Sequence, residues 1–368
     1  MREYVAPLRI HLVLHPDNAG WIIEKMAHRL AEYLSADQVI ISTSSRSRND
    51  VDINHWMSYA FANEPQPTRA TMFITHVDDP YKVRLIQQEL STGIDLGICM
   101  SSESVSKLVT LGVPREALCY VPPAHDSSVV ARRIRIGITT RVYADGRKRE
   151  HMLVRLARSM SLESFHFQIF GAGWDSVVPE LERAGARVEY YPGSSNYQAD
   201  YTQIIKHLPA FDYYLYLGMD EGSLGTLDAI AAGVKTIVTA QGFHRDLGAA
   251  VTHGFVTFAE LRSVMEQLAN ERSTRLAAAA SLTWDRFAAR HLLIWQALVA
   301  GDAQRIPQLL GQANIPQKHS DASKLESLAF RARALHPARI FSALSHWGPL
   351  KPLGEAWRRR RRANASER

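Results

Sequence analysis

Between residues 8 and 255 the chain alternates short apolar runs with amphipathic helical stretches, and this rhythm most restricts its fold. "LRIHLVLH", "QVIIST", "ATMFIT", "DLGICM" and "LCYVPP" read as strands. "AGWIIEKMAHRLAEYL" reads as a helix with Ile22, Met26, Leu30 and Leu34 on one stripe, and "YKVRLIQQEL" and "SESVSKLVTLG" as two more. Ser102 and Ser104 are candidate caps for the last of these, and Gly112 its stop. Strands alternating with helices predict a mostly parallel sheet covered by helices on both faces.

The rhythm lapses in "PPAHDSSVVARR", residues 122–133, where Pro and Ser cluster as in a linker. A second series then begins. Its strands are "RIGITT", "FHFQIFG", "ARVEYY", "FDYYLYLG" and "KTIVTA", separated by "REHMLVRLARSM", "DSVVPELERAG", "YTQIIKHL" and "GTLDAIAAG". The expected organisation is α/β: two Rossmann-like doubly wound domains, 1–125 and 131–283, facing a cleft. A chain of 368 residues exceeds one ordinary core, in keeping with two. From about residue 255 the pattern turns helical. "TWDRFAARHLLIWQALVAG" is strongly amphipathic through Trp284, Phe287, Leu292 and Trp295. A looser, basic, partly helical tail occupies 302–368.

Cys99 and Cys119 sit in apolar surroundings without metal-ligand spacing and read as buried thiols of a reducing compartment. No apolar run reaches the ~18 residues that span a bilayer. "MREYVAPLRIHLVLHP" reads as a first strand and not a signal peptide, so a cytoplasmic protein is expected. The net charge is +6, and Arg358 to Arg362 supply five positive charges, which places the basic character in the tail. No fold-wide nucleic-acid surface is expected. No G-x-S-x-G elbow or P-loop occurs, and "DVD", Asp50 to Asp52, lacks the context of a metal pair.

The stretch "DEGSLGTLDAIAAGV", residues 220–234, sets carboxylates and glycines around the start of a helix. Free N–H groups at a helix start attract anions, and small residues let a phosphate approach. A carboxylate further along, Asp228, suits sugar hydroxyls, as acids hold ribose in dinucleotide sites. A Ser223 N-cap with dipole-compensating acids explains the same residues without a ligand. "QIFGAGW" offers Gly171 and Gly173, but Ser176 stands where a dinucleotide fingerprint needs its third Gly.

"DEGSLGTLDAIAAGVKTIVTA" resembles the nucleotide-sugar signature of GT-B fold glycosyltransferases, especially the family-4 (glycosyl transferases group 1) enzymes. That signature has two acids eight residues apart, then Ala, a small residue and Gly, then an apolar strand. Asp220 and Asp228 have that spacing, though both are Asp where Glu is usual, and Glu221 offers a competing register. The resemblance implies that Asp228 holds the ribose and that Asp220 or Glu221 lies by the donor sugar. The backbone of Gly222, Ser223 and Leu224 would meet the diphosphate. It also places an Arg and a Lys in "GITTRVYADGRKRE": Arg141 and Lys148, with Arg147 as substitute. Such cations stabilise a departing diphosphate without a metal. Gly171 and Gly173 correspond to a glycine pair beside the nucleotide, and Gly20 of "HPDNAGW" to the glycine loop near the transferred group. His76, ending "MFITH", corresponds to the histidine against the donor sugar; His15 reads as structural, and Phe243 and His244 as contacts for base or sugar.

The resemblance spans roughly residues 8–300 and implies a hexosyltransferase-type enzyme. The donor would be a UDP- or GDP-sugar, with no permanently bound cofactor and no metal. The acceptor would be a glycan or lipid-linked glycan in bacterial surface polysaccharide or lipopolysaccharide synthesis, with retention of configuration. It also implies that the helix at 284–300 crosses back onto the first domain. The tail would suit an anionic membrane surface and peripheral attachment at its inner face. Two alternatives stand beside this reading: a nucleotide-sugar 2-epimerase on the same fold, and a non-catalytic membrane-associated scaffold.

Overall fold

A computed structural model of the chain describes residues 7–194 and 196–312. The basic tail beyond residue 312, with its expected membrane contact, lies outside the described residues. Internal contacts divide the chain into two units. The first comprises residues 1–127 and 281 onward, the second residues 128–280. Relative to the expected 1–125 and 131–283, the crossings fall at 127/128 and 280/281.

The first unit runs β1 (Leu8–Val13), α1 (Ile22–Tyr33), β2 (Val39–Ser44), β3 (Ile53–Trp56), β4 (Arg69–Ile74), α2 (Pro80–Thr92), β5 (Leu96–Cys99), α3 (Ser102–Thr110) and β6 (Leu118–Tyr120). All strands are parallel, in the order β2-β1-β3-β4-β5-β6. The order reverses between β1 and β3, the switch point where open α/β sheets bind ligands at their carboxyl ends. α3 is capped ahead of both candidates: Ser101 Oγ accepts the Ser104 N–H at 3.2 Å, and Ser102 is already helical. Cys99 and Cys119 are free and fully buried, in separate apolar clusters on neighbouring strands. Burial pushes the Cys99 thiol up to about 12.

The second unit runs β7 (Ile134–Ile138), α4 (His151–Ser159), β8 (Phe165–Phe170), α5 (Val178–Arg183), β9 (Arg187–Tyr191), α6 (Tyr197–His207), β10 (Tyr213–Tyr216), α7 (Leu224–Ala231), β11 (Lys235–Thr239), α8 (Phe243–Asp246), β12 (His253–Phe255) and α9 (Phe258–Ala280). Its sheet is parallel too, in the order β12-β11-β10-β7-β8-β9, the Rossmann order with its switch point between β7 and β10.

The chain then adds α10 (Trp284–Val299) and α11 (Ile306–Leu309). α10 packs on α1 and joins the first unit's core. Trp284, Phe287, Leu292 and Trp295 are buried there with Ile10, Leu12, Phe73 and Ile98. Three ring nitrogens in this layer, on His55, His291 and Trp295, are buried without a hydrogen-bond partner. The two imidazole centroids lie 5.5 Å apart.

Candidate functional site

The carboxyl ends of β7 and β10 bring together residues far apart in sequence. Lys148 Nζ donates to Asp220 Oδ2 at 2.5 Å and to the Tyr216 hydroxyl at 2.8 Å. The Tyr216 hydroxyl donates to the other Asp220 oxygen, which also accepts the Gly222 N–H at 3.3 Å. Burial alone would raise the Asp220 carboxyl. Hydrogen bonds from Lys148 and Tyr216, with the Lys148 charge, outweigh it and hold the group below its ordinary range. Burial, then the Asp220 carboxylate, drive the Tyr216 phenol far up.

Behind this cluster a row of hydroxyls crosses the switch point. The Tyr214 hydroxyl, fully buried, lies 3.0 Å from Thr139 Oγ1 and 2.8 Å from Ser223 Oγ. Ser223 precedes α7 but makes no side-chain cap, because its hydroxyl is engaged by Tyr214. His244 acts there instead. It is buried, its Nδ1 lies 2.9 Å from the Thr239 carbonyl, and its Nε2 accepts the Ser223 N–H at 3.1 Å and meets Thr226 Oγ1 at 2.9 Å. The imidazole thus braces the start of α7 and is not presented to solvent. Among the described residues, the N–H groups of Leu224 and Gly225 have no acceptor, as expected of a helix's first turn. Gly222, at φ +118°, is required: a Cβ would come within 2.7 Å of the Phe243 ring and 2.9 Å of His244 Nε2.

The loop after β7 carries the cations. Arg141 is exposed and has no hydrogen bond or ion pair among the described residues. Arg147 lies 3.4 Å from Asp145 and over the Tyr143 ring at 4.4 Å, and its carbonyl accepts the Met219 N–H at 2.7 Å. Arg149 has a positive φ, 51°, alone among the described non-glycine residues, and its Nε donates to the Leu217 carbonyl at 2.6 Å. Together these bonds tie the basic loop to the end of β10. Gly171 and Gly173 support the same loop from β8. A Cβ on Gly171 would lie 2.8 Å from the Thr140 carbonyl oxygen, and one on Gly173 2.8 Å from Val142. Their bare faces are therefore filled by the backbone and side chains of residues 140–142.

Asp228 sits on α7, apart from the Lys148–Asp220 cluster. Tyr201 donates to its Oδ2 at 3.4 Å, and the nearby carboxylate, more than burial, raises the Tyr201 phenol. Tyr197 stacks on Tyr201 with centroids 5.8 Å apart and is 77% exposed. An aromatic face thus lies open beside a half-exposed carboxylate. Glu221 and Leu224 are exposed on either side of the α7 start.

In the first unit, Gly20 closes the loop after β1 at φ +75° and donates its N–H to Glu24 at 2.5 Å. His76 follows β4. Its Nδ1 lies 2.7 Å from Thr75 Oγ1 and its Nε2 3.4 Å from the Tyr59 hydroxyl. Burial, then the Lys82 charge, keep the imidazole below its ordinary range against the pull of Asp78. His15 stacks flat on Phe61 at 3.8 Å and accepts the Asp17 N–H, an anchoring role. Asp50 binds Arg48 and Asp52 accepts the Arg9 N–H. Among the described residues no group of three or more His, Cys, Asp or Glu converges as metal ligands, and no helix is long and apolar enough to cross a membrane.

Tyr214, Tyr216, Arg149 and Tyr201 escape the sequence reading. For the first two a signal exists: "YYLY" buries two phenols two apart on one face of a strand, and buried hydroxyls need partners.

No protein-family model matches the chain, and no curated protein matches it. Solved structures give distant likenesses. HepE from Anabaena, solved with UDP-glucose, is 13% identical, covering 83% of this chain and 99% of its own, with a TM-score of 0.28. The lipopolysaccharide outer core galactosyltransferase WaaB, in apo form, is 11% identical, covering 81% and 99%, with a TM-score of 0.32. Sucrose-phosphate synthase from Thermosynechococcus elongatus is 13% identical, covering 83% and 98%, with a TM-score of 0.30.

Proposed function

We propose that the chain is a GT-B glycosyltransferase that moves a sugar from a nucleotide-diphosphate sugar, UDP- or GDP-linked, to a glycan or lipid-linked acceptor. The observation that carries this reading is the switch-point end of the second sheet. There Leu224 and Gly225 have unpaired N–H groups, an ionised Asp220 is held by Lys148, and Arg141 and Arg147 stand on an anchored loop. As the sugar–phosphate bond breaks, negative charge grows on the departing diphosphate. Arg141, Arg147 and Lys148 are the cations for it, and amides aimed from a helix start add to them without a metal ion. Asp228 takes the ribose hydroxyls, with the Tyr197–Tyr201 face next to it for the base. Asp220, or Glu221, meets the donor sugar. Gly171, Gly173 and Gly222 shape the cradle by letting loops approach. The same reading gives Gly20 and His76, on the first unit, to the transferred sugar and acceptor. It extends by the family resemblance to retention of configuration and to bacterial surface polysaccharide or lipopolysaccharide. The Arg358–Arg362 run supports peripheral attachment to the inner, cytoplasmic face of a membrane.

Calorimetric titration of the whole chain with UDP, GDP, ADP and CMP tests the reading. One nucleoside diphosphate should bind, and Asp228→Ala should weaken it about 10- to 100-fold, the loss of charge-assisted hydrogen bonds. If no nucleotide binds the wild type, the donor-site reading fails.

A further inference from the structure

The opposite, amino-terminal edge of the second sheet holds a pocket that plays no part in the site above. Its volume is about 470 Å³. Ile134, Phe211, Val234 and Leu268 give it an apolar, buried floor. Arg132, Lys235, Arg272 and Arg275 stand around it with the acids Asp212 and Glu271.

These charges do not cancel. Asp212 is committed: its two oxygens accept from Arg132 at 2.8 and 2.6 Å, and one also takes the Arg135 N–H at 2.9 Å. Glu271 accepts from Gln267 at 2.9 Å and faces Arg275 at 3.9 Å. Lys235 lies over the Tyr213 ring at 5.6 Å and has no carboxylate partner among the described residues. Arg272 donates only its Nε, to the Arg132 carbonyl at 3.0 Å. The surplus is felt nearby: burial and then the Lys235 charge lower the His253 imidazole, Glu271 opposing. The last turn of α7 also ends at this edge, next to the lining residue Gly233, and its dipole favours cations. That effect amounts to roughly half a charge and fades within a turn, so it does not absorb two full ones.

The walls are informative. One is the segment at 131–134, just after the chain enters the second unit; the other is α9, whose last residue, Ala280, is the last of that unit. The Arg272–Arg132 bond already joins them.

We propose that this pocket binds a small organic phosphate ester, its aromatic or short-chain body on the apolar floor and its doubly charged head toward Lys235 and Arg272. The bound ester fastens the segment that enters the second unit to the helix that leaves it.

Phenyl phosphate, titrated into the full chain, tests this. It should bind once, at least about tenfold more tightly than inorganic phosphate, and slow amide exchange over residues 128–135. Lys235→Glu with Arg272→Glu should abolish binding while the variant still unfolds cooperatively and titrates with UDP as the wild type does. No binding to the wild type, equal binding to the double variant, or inorganic phosphate binding as well as the ester would each overturn the proposal. The ester titration, its comparison with inorganic phosphate and the exchange readout do not depend on whether UDP binds.

Discussion

At the scale of the residue, the site turns on one phenol. Tyr216 is buried in β10, and its hydroxyl joins Lys148 to Asp220. Tyr216→Phe keeps the ring and removes the bond, at a cost of about 1 kcal/mol at neutral pH. The sign with pH follows from Asp220. Its carboxyl is depressed in the folded state, so its stabilisation is present above the unfolded value of 3.8 and is lost as pH falls through the folded one. The gap in stability between wild type and variant should therefore shrink as urea midpoints are measured from pH 6 down to pH 3. A gap that stays constant would mean that the hydroxyl serves packing alone. Asp220 and Lys148, which the structure pairs, stand out in the sequence as charge at a helix start and after a strand, as does Asp228 on α7. Tyr216 does not, because its role depends on which strand lies next to β10, and register is a property of the sheet.

At the scale of the element, α10 shows how far periodicity reaches. Its stripe names the buried residues Trp284, Phe287, Leu292 and Trp295 without saying which sheet they cover. β3 went unread for a related reason: all four of its residues are buried, two of them polar. Asn54 is satisfied inside by Arg48 and Thr68, and His55 Nδ1 meets Thr71 Oγ1, so polarity in the sequence concealed a central strand. The same layer makes a prediction. His291 is fully buried between Phe287 and Trp295, and burial lowers its imidazole to about 4. His55, also buried, is lowered by burial and then by His291. With folded values below the unfolded 6.5, the unfolded chain binds these protons first. Stability is then lost as pH falls from about 6.5 toward 4, on the order of 3 kcal/mol for His291 alone. His291→Phe should flatten that slope in pH-dependent melting of the first unit; an unchanged slope would assign the acid sensitivity elsewhere.

At the scale of the whole molecule, the two sheets differ in how the chain closes them. The second unit is continuous, residues 128–280, with its own apolar core. The excised segment 128–280 should unfold cooperatively and bind the same nucleoside diphosphate as the full chain. Residues 1–127 alone should not fold, because Ile10, Leu12, Phe73 and Ile98 then lose the cover of α10. Circular dichroism melts of the two fragments check both statements, and a cooperative melt of 1–127 would show α10 to be dispensable. Alternation in the sequence gives both sheets apart from β3 and β12. Their strand orders, and the membership of α10, are settled by long-range packing that no local pattern records.

That discontinuity has a consequence during synthesis. The ribosome delivers every strand of the first sheet before it begins the second unit, and α10 only after it. At about 5–20 residues per second, the intervening segment, residues 128–280, takes roughly 8–30 s to emerge. Through that interval α1 alone covers its share of one face of the first sheet, and the part that α10 will cover stays unroofed while the later unit can already close. The amino-terminal part of the chain is thus the last to mature, and for those seconds the apolar strip awaiting α10 is a target for any chaperone that guards nascent protein.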